Sequence, residues 1–477
     1  MSIAIDRAPR ALFRPETPAP PARPLGALRG FWALYQNPIR FWPEELYETG
    51  LMSTPLFGRK FVAMADPGMA RALLLEDADA YVKSAVQDRV LKPVLGDSLL
   101  TTDGAVWRRQ RRIAAPAFRP AAVAAYAPVM LAAGRAAGAR LAQAGGETRD
   151  VMPELVRATL DVVADTLFLT EGWGAEARAQ LAADIGVWLE NMGRADPLDI
   201  LGAPNWAPRP WKLAGRGAAR RFRQAAEAIV ARKRAEGARG DTLTDRLLRA
   251  ADPEEEAGAG LTDAEVVDNV TTLVAAGHET TALALTWTLY LLARSPELQA
   301  ALRAEAADCG LWAADPEDAA ALAAAADAAA LHDRVLREAM RLFPPAAATG
   351  RSVARETRLG PLSLAPGDHV TLVTYALHRR AAVWGADAAA FDPARFGPDR
   401  APADRFAYLP FGDGPRVCIG ARFAMLEATL LLAGVLRAAE LAPPAGGGAR
   451  EAVEPVLRVT LRPRGGMPLA ARPARSG

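Results

Sequence analysis

The chain has 477 residues, 51% of them hydrophobic and 23% charged, with a formal net charge of +2. That balance supplies material for a large core and excludes the basic excess of a nucleic-acid binder. Its two cysteines, Cys309 and Cys418, exclude a disulfide framework and a four-cysteine metal site, which points to a reducing, cytoplasmic setting.

Residues 1–29 read as a mobile tail, in which Arg7, Arg10 and Arg14 precede prolines at 15, 18, 20, 21 and 24. No apolar stretch there is long enough for a signal peptide or a transmembrane anchor. Residues 30–477 contain no dividing linker and read as one large domain, expected to be a monomer. Leu56–Ala63 has the pattern of a hairpin turning near Gly58. Helical patterns then dominate from about Met69 to Ala348, and the clearest runs from Leu261 to Arg294. Thr262-Asp263-Ala264-Glu265 is a capping box at its start, and Ser295-Pro296 opens the next helix. At ~1.5 Å per residue this helix spans about 50 Å, and its apolar middle predicts a path through the core. Residues 313–331 form an alanine-rich helix. Beyond Pro345 the pattern turns to short β-prone pieces, notably Val370–Tyr375 and Val456–Leu461. The fold class is mainly α with small β-sheets.

Cys418 lies within Phe411-Gly412-Asp413-Gly414-Pro415-Arg416-Val417-Cys418-Ile419-Gly420, just ahead of a long amphipathic helix. A cysteine at a helix start meets unpaired backbone N–H groups, which lower its pKa and favour the thiolate as metal ligand or nucleophile. Gly412 and Gly414 permit sharp turns and close approach to a flat object, Pro415 stiffens the loop, and Gly420 removes bulk where that object would press. The decapeptide resembles the haem loop of the cytochrome P-450 family, Phe-x-x-Gly-x-Arg-x-Cys-x-Gly, at every fixed position. The resemblance implies haem b with Cys418 as its axial iron ligand and Phe411, Arg416 and Gly420 beside it. Electron density from such a sulfur favours O–O cleavage. Cys309 is a bystander.

Ala276-Gly277-His278-Glu279-Thr280-Thr281 puts polar groups in the middle of the long helix, where they cost free energy unless paired or used. The segment is similar to the family pattern Ala/Gly-Gly-x-Asp/Glu-Thr-Thr/Ser, at which the helix opens a groove for dioxygen. By that resemblance Ala276 and Gly277 contact the haem, Thr280 steadies iron-bound oxygen and a water, and Glu279 relays protons. Taken alone, Thr280 reads as a threonine bonded back to the carbonyl one turn earlier. His278 has no ligand partner one turn away and takes a structural role.

Glu338 and Arg341 stand three apart on one helical face, ahead of Leu342-Phe343-Pro344-Pro345, where the helix must stop. With Arg395 in Asp392-Pro393-Ala394-Arg395-Phe396 they resemble the family's Glu-x-x-Arg and later Arg triad, a fold role. Trp107-Arg108-Arg109-Gln110-Arg111-Arg112 resembles the family's Trp-x-x-x-Arg helix, so Trp107 and Arg111 are expected at the haem propionates with Arg351 and Arg416. Arg108, Arg109 and Arg112 are either solvated or, with Arg422, a positive face for an acidic electron donor.

The resemblance, spread over roughly residues 30–470, implies a haem-thiolate monooxygenase that inserts one atom of O2 into a small apolar organic substrate. No nicotinamide, flavin or iron–sulfur module accompanies the motifs, so NAD(P)H acts only through a separate ferredoxin or flavodoxin with its reductase. A peroxide-driven peroxygenase and a non-enzymatic haem sensor or carrier are the alternatives, and the Glu279-Thr280 pair argues against the first. By the same resemblance the substrate-contacting loops fall near Val82–Leu100 and Val187–Leu213, the second with Trp188, Met192, Trp206 and Trp211. These aromatics either meet an apolar guest, pack lid helices or touch a membrane surface, while the Leu-Phe-Pro-Pro turn and the Trp-Arg-Arg helix resemble the fatty-acid-hydroxylating and eukaryote-like branches of the family, which implies a fatty acid or terpenoid.

Overall fold

A computed structural model describes residues 12–56, 58–167, 174–192, 213–254, 260–312, 317–400, 402, 404–444 and 452–474. The central element is the helix Asp263–Leu292, opened by the expected capping box: Thr262 Oγ1 accepts from the Glu265 N–H, and the Glu265 carboxylate accepts from the Thr262 N–H at 2.8 Å. Its apolar faces draw in the helices Met152–Leu167, Leu213–Ala235, Ala330–Leu342 and Ala421–Ala438. Trp287 on this helix stacks on Phe343 at 4.0 Å and donates its indole N–H to Leu461 O at 3.0 Å.

The helix Ala421–Ala438, which leaves the cysteine loop, crosses Ala127–Ala142 with the two backbones in contact. Glycine makes this possible. A Cβ on Gly434 would stand 2.5 Å from the Gly134 carbonyl carbon, and one on Gly138 would stand 2.8 Å from Gly434 O.

Among the described residues the largest sheet has five strands in the order Leu51–Leu56, Arg59–Met64, His369–Leu372, Thr349–Val353 and Tyr81–Lys83. It is antiparallel except between Arg59–Met64 and His369–Leu372. The hairpin expected around Gly58 is therefore present, longer than the sequence showed, with Gly58 at a positive φ of 73°. The strand expected over 370–375 ends at Leu372, and a helical turn begins at Thr374. The strand expected over 456–461 is a tight hairpin, Pro455–Leu457 with Leu461–Pro463, because the chain reverses at Arg458-Val459-Thr460.

The expected mobile tail is docked from residue 12 onward. Phe13 packs its ring edge-on to Tyr290, lies beneath the Arg294 guanidinium, and accepts a bond at its carbonyl from Phe391 N–H. Burial of an aromatic anchor holds a segment whose prolines already restrict it. Residues 1–11 and 313–316 lie outside the described residues. Among the described residues, no helix is long and apolar enough to cross a membrane.

Candidate active site

The Cys418 loop is shaped by two glycines at positive φ, Gly412 (69°) and Gly414 (70°). Gly414 also packs directly on another backbone: a Cβ there would fall 2.0 Å from Leu74 O. The Cys418 N–H donates to Phe411 O at 2.9 Å and Val417 N–H to Gly414 O at 3.1 Å, closing the loop on itself. Cys418 is a free cysteine with an open side. A Cβ on Gly420 would meet nothing within 4 Å, so the loop leaves room beside the sulfur.

The expectation of a lowered thiol pKa is not met. Burial among surrounding protein atoms pushes the Cys418 thiol up, although the Gly420 N–H and the nearby Arg111 guanidinium oppose the shift. Helix-start polarity is thus the weaker effect at this loop.

From Val266 to Leu292 the central helix is buried except at Leu273, Ala276, Gly277 and Thr280. Those positions recur at helical spacing and form one open strip. Leu273 and Ile419, the neighbour of Cys418, border the same apolar cluster, as does Val459 at the tip of the C-terminal hairpin. A continuous helix runs through the strip, and the local opening expected from the motif is not seen. Thr280 Oγ1 donates to Ala276 O at 2.7 Å, the back-bond that a lone mid-helix threonine would make. Gly277 serves packing on a second side, since a Cβ there would touch the Val163 side chain at 3.4 Å. His278 is buried, its ring bonded to Val274 O at 2.8 Å, which agrees with a structural role.

Glu279 is turned away from the strip. Its carboxylate forms an ion pair with Arg462 and accepts from Thr460 Oγ1 at 2.8 Å. Thr280 and Glu279 are adjacent in sequence yet face different surroundings, about 100° apart around the helix axis.

Two of the expected cations, Arg351 and Arg416, lie near one another together with Lys83, whereas the charged neighbour of Arg111 is Cys418. Trp107 is buried, and the Arg416 guanidinium lies over its ring at 4.2 Å. Arg416 also pairs with Asp103 and donates to Thr102 O at 3.1 Å. Arg351 is buried in the five-stranded sheet directly opposite Lys83. Burial and the nearby Arg416 lower the Arg351 pKa to about 10. Burial, then Arg351 and Arg416, bring Lys83 down to about 7. Asp103 is the carboxylate that all three share, and Asp88 reaches only Lys83. Positive charge is in excess. Lys83 escaped the sequence reading because a single lysine in a short strand carries no signal; its pairing register with Arg351 supplies it.

The proposed positive face is largely neutralised. Arg109 pairs with Glu265 at 2.8 Å, Arg112 with Asp252 at 2.9 Å, and Arg422 with both oxygens of Asp327. Arg108 remains exposed. The triad is in place: Arg341 holds Glu338 through two bonds at 2.7 and 2.8 Å, and Arg395 Nε lies 3.5 Å from Glu338 Oε1. Trp188 is core, buried against Phe222. Trp206 and Trp211 lie outside the described residues.

The fit of a haem to these residues rests on three observations: the room beside Gly420, the open strip on an otherwise buried helix, and buried cations lacking matching anions. A dianionic, flat, largely apolar group answers all three.

The family model for cytochrome P450 matches residues 45–468. The chain is similar to cyclooctatin synthase of Streptomyces melanosporofaciens, 34% identical over 92% of this chain and 91% of that one. It is also similar to cyclooctat-9-en-7-ol 5-monooxygenase of the same organism, 32% identical over 91% of this chain and 94% of that one. Among solved structures, the crystal structure of the cytochrome P450DA heme domain matches with a TM-score of 0.78 at 24% identity, covering 98% of this chain and 99% of that one. This last likeness bears on the fold.

Proposed function

The chain belongs to the cytochrome P450 family, a haem-thiolate monooxygenase family, and from that premise we propose an oxygenase acting on an apolar, terpenoid-like carbon skeleton. It takes electrons from NAD(P)H through a separate ferredoxin or flavodoxin and its reductase, in the cytoplasm. The carrying observation is the open strip Leu273, Ala276, Gly277 and Thr280, bordering the same apolar cluster as the Cys418 loop. The named substrate of one relative, cyclooctat-9-en-7-ol, is an alkenol and supports the substrate class.

Bound haem supplies reduction of O2 and transfer of one oxygen atom to carbon, the other leaving as water. The residues of this chain bind, orient and manage protons. Cys418 is the sulfur ligand, and Gly420 keeps the adjoining surface flat. Arg351, Arg416, Lys83 and Arg111 hold the two propionates, with Trp107 as the platform on which Arg416 rests. Thr280 holds a proton on Oγ1 at the edge of the strip, and rotation off Ala276 O lets it donate into the open side. Glu279 carries the replacement proton. Leu273 and Val459 present apolar surface that keeps water from the reacting carbon.

The test is the difference spectrum of the dithionite-reduced protein with and without carbon monoxide. A strongly red-shifted Soret band is expected; its absence from folded, haem-replete protein would remove Cys418 as the ligand.

A further inference from the structure

The helix Ala27–Gln36 has two unlike faces. Its inner face is close-packed: Gly30 is buried, and a Cβ there would stand 3.2 Å from the Phe41 ring. The outer face carries Leu28, Trp32 and Tyr35 at i, i+4 and i+7. Leu28 and Trp32 are 87% and 57% exposed, the two highest values among the large apolar side chains described, and the Trp32 ring stacks on Tyr35 at 5.8 Å. Single exposed apolar residues are ordinary, whereas several aligned on one face mark a contact surface.

The surroundings of that face select its partner. The helix contains no acid, Arg29 within it and Arg23 ahead of it are exposed, and among the described residues neither arginine forms an ion pair. The acid near its other end, Glu454, is occupied by Arg40 and Arg464, each at 2.8 Å. Leucine, tryptophan and tyrosine on one side with arginines at the edge suit a helix lying in the plane of an anionic lipid surface, where the rings sit at headgroup level. The helix extends about 15 Å, too short to span a bilayer. At about 15 by 10 Å the face also falls far below the roughly 800 Å² per partner of a stable protein interface.

The helix is fastened at its C-terminal end to the hairpin Pro455–Leu457 with Leu461–Pro463. Arg458 donates to Gln36 O at 2.9 Å, Asn37 Nδ2 to Pro455 O at 2.9 Å, and Leu457 N–H to Asn37 Oδ1 at 3.1 Å. Val456 and Arg458 of the same hairpin wall a cleft of about 940 Å³ together with Val156 and Leu160, and Val459 at its tip borders the apolar cluster of Leu273 and Ile419. We propose that Leu28, Trp32 and Tyr35 seat this protein reversibly on an anionic lipid surface, so that an apolar substrate dissolved in lipid is met at the hairpin. The docking stands by itself; the substrate clause rests on the oxygenase reading above.

The test is co-sedimentation of the haem-loaded full chain with vesicles of phosphatidylcholine alone and of phosphatidylcholine with phosphatidylglycerol. The parent should partition onto the mixed vesicles and be released by high salt. Leu28→Ser combined with Trp32→Ser should weaken that partition on the order of tenfold. Trp32→Phe should keep most of it, and Arg23→Gln combined with Arg29→Gln should bring the mixed vesicles close to the level of phosphatidylcholine alone. Each variant should keep the parent's melting temperature, since the changed side chains face solvent. Equal partition of the parent and the double serine variant would overturn the proposal, as would equal partition of the parent onto both kinds of vesicle. A dimer in sedimentation velocity that the double serine variant abolishes, in a parent that binds no vesicle, would also overturn it and assign the face to a second copy. Co-sedimentation needs no turnover, so a parent without the red-shifted carbon monoxide band would overturn the oxygenase reading and leave the docking to be decided by the vesicles.

Discussion

Arg395 and Arg351 are nearly equally buried, at 4% and 8% exposure, yet their surroundings shift them in opposite directions. Around Arg395, burial opposes the charge, but Asp387 and Glu338 outweigh it and raise the pKa. Its guanidinium also donates to Trp384 O at 2.9 Å, while neighbouring Arg341 reaches the carbonyls of His378, Ala388 and Ala390. That region is complete in itself. Around Arg351, burial and Arg416 lower the pKa, and the bond it makes at 2.9 Å is to its own neighbour Gly350 O. A buried cation whose surroundings disfavour it marks a place where an anion belongs. The first region holds the fold together, and the second is the one we propose for the haem propionates.

The comparison can be broken most completely at its centre. Cys418→Ser should abolish the red-shifted carbon monoxide band altogether, read in protein whose far-ultraviolet circular dichroism matches the parent. Next, Glu338→Ala should cost about 3–5 kcal/mol, because it strands Arg341 in the core. Chemical denaturation should record that loss, and parent-like stability would contradict the fold role. Arg351→Ala and Arg416→Ala should each weaken haem retention by about 1.5–3 kcal/mol. They should speed haem transfer to an apo-acceptor roughly 10- to 100-fold, with little change in the melting of haem-free protein.

A pH-dependent effect is expected at Glu427, a fully buried carboxyl on the helix Ala421–Ala438. Neither of its oxygens has a hydrogen-bond partner of good geometry, although the nearby Thr281 hydroxyl offsets part of the burial effect. Burial raises its pKa from 4.5 to about 8. The folded protein therefore holds this proton more tightly than the unfolded chain. The contribution to stability is complete below about pH 4.5 and is lost as pH rises through about 8. Glu427→Gln should flatten the decline between about pH 4.5 and 8 while leaving the profile below pH 4.5 unchanged, as measured by melting across pH. An unchanged slope would show that the group titrates normally.

Local patterns were legible in the sequence and tertiary pairings were not. The Cys418 loop, the Thr262–Glu265 capping box and the Glu338–Arg341 pair each lie within a few residues, so spacing alone exposes them. Arg395 could be added because its own short motif marks it. Lys83 became visible only through its strand partner Arg351, and Arg462 only through a hairpin that returns to the central helix. The reversal at Arg458-Val459-Thr460 was hidden because valine and threonine read as strand formers even where the chain turns. Glu427 carries a signal of its own, one acid in a run from Leu426 to Val435 whose other polar residue is Thr429. Trp188 illustrates the limit of composition, since an aromatic near a binding loop and an aromatic in the core look alike until the burial is known.

The contact of Gly134 and Gly138 with Gly434 works as a gauge block for the sulfur. Cys418 sits at the head of a stiff rod, and the rod's height is set where its far half rests on another backbone with no side chain between them. A single methyl at Gly434 would have to lift that rod or tilt it, and the displacement would appear at the opposite end as a change in how far the cysteine reaches. The position of the Cys418 sulfur is thus partly set at a helix crossing remote from it.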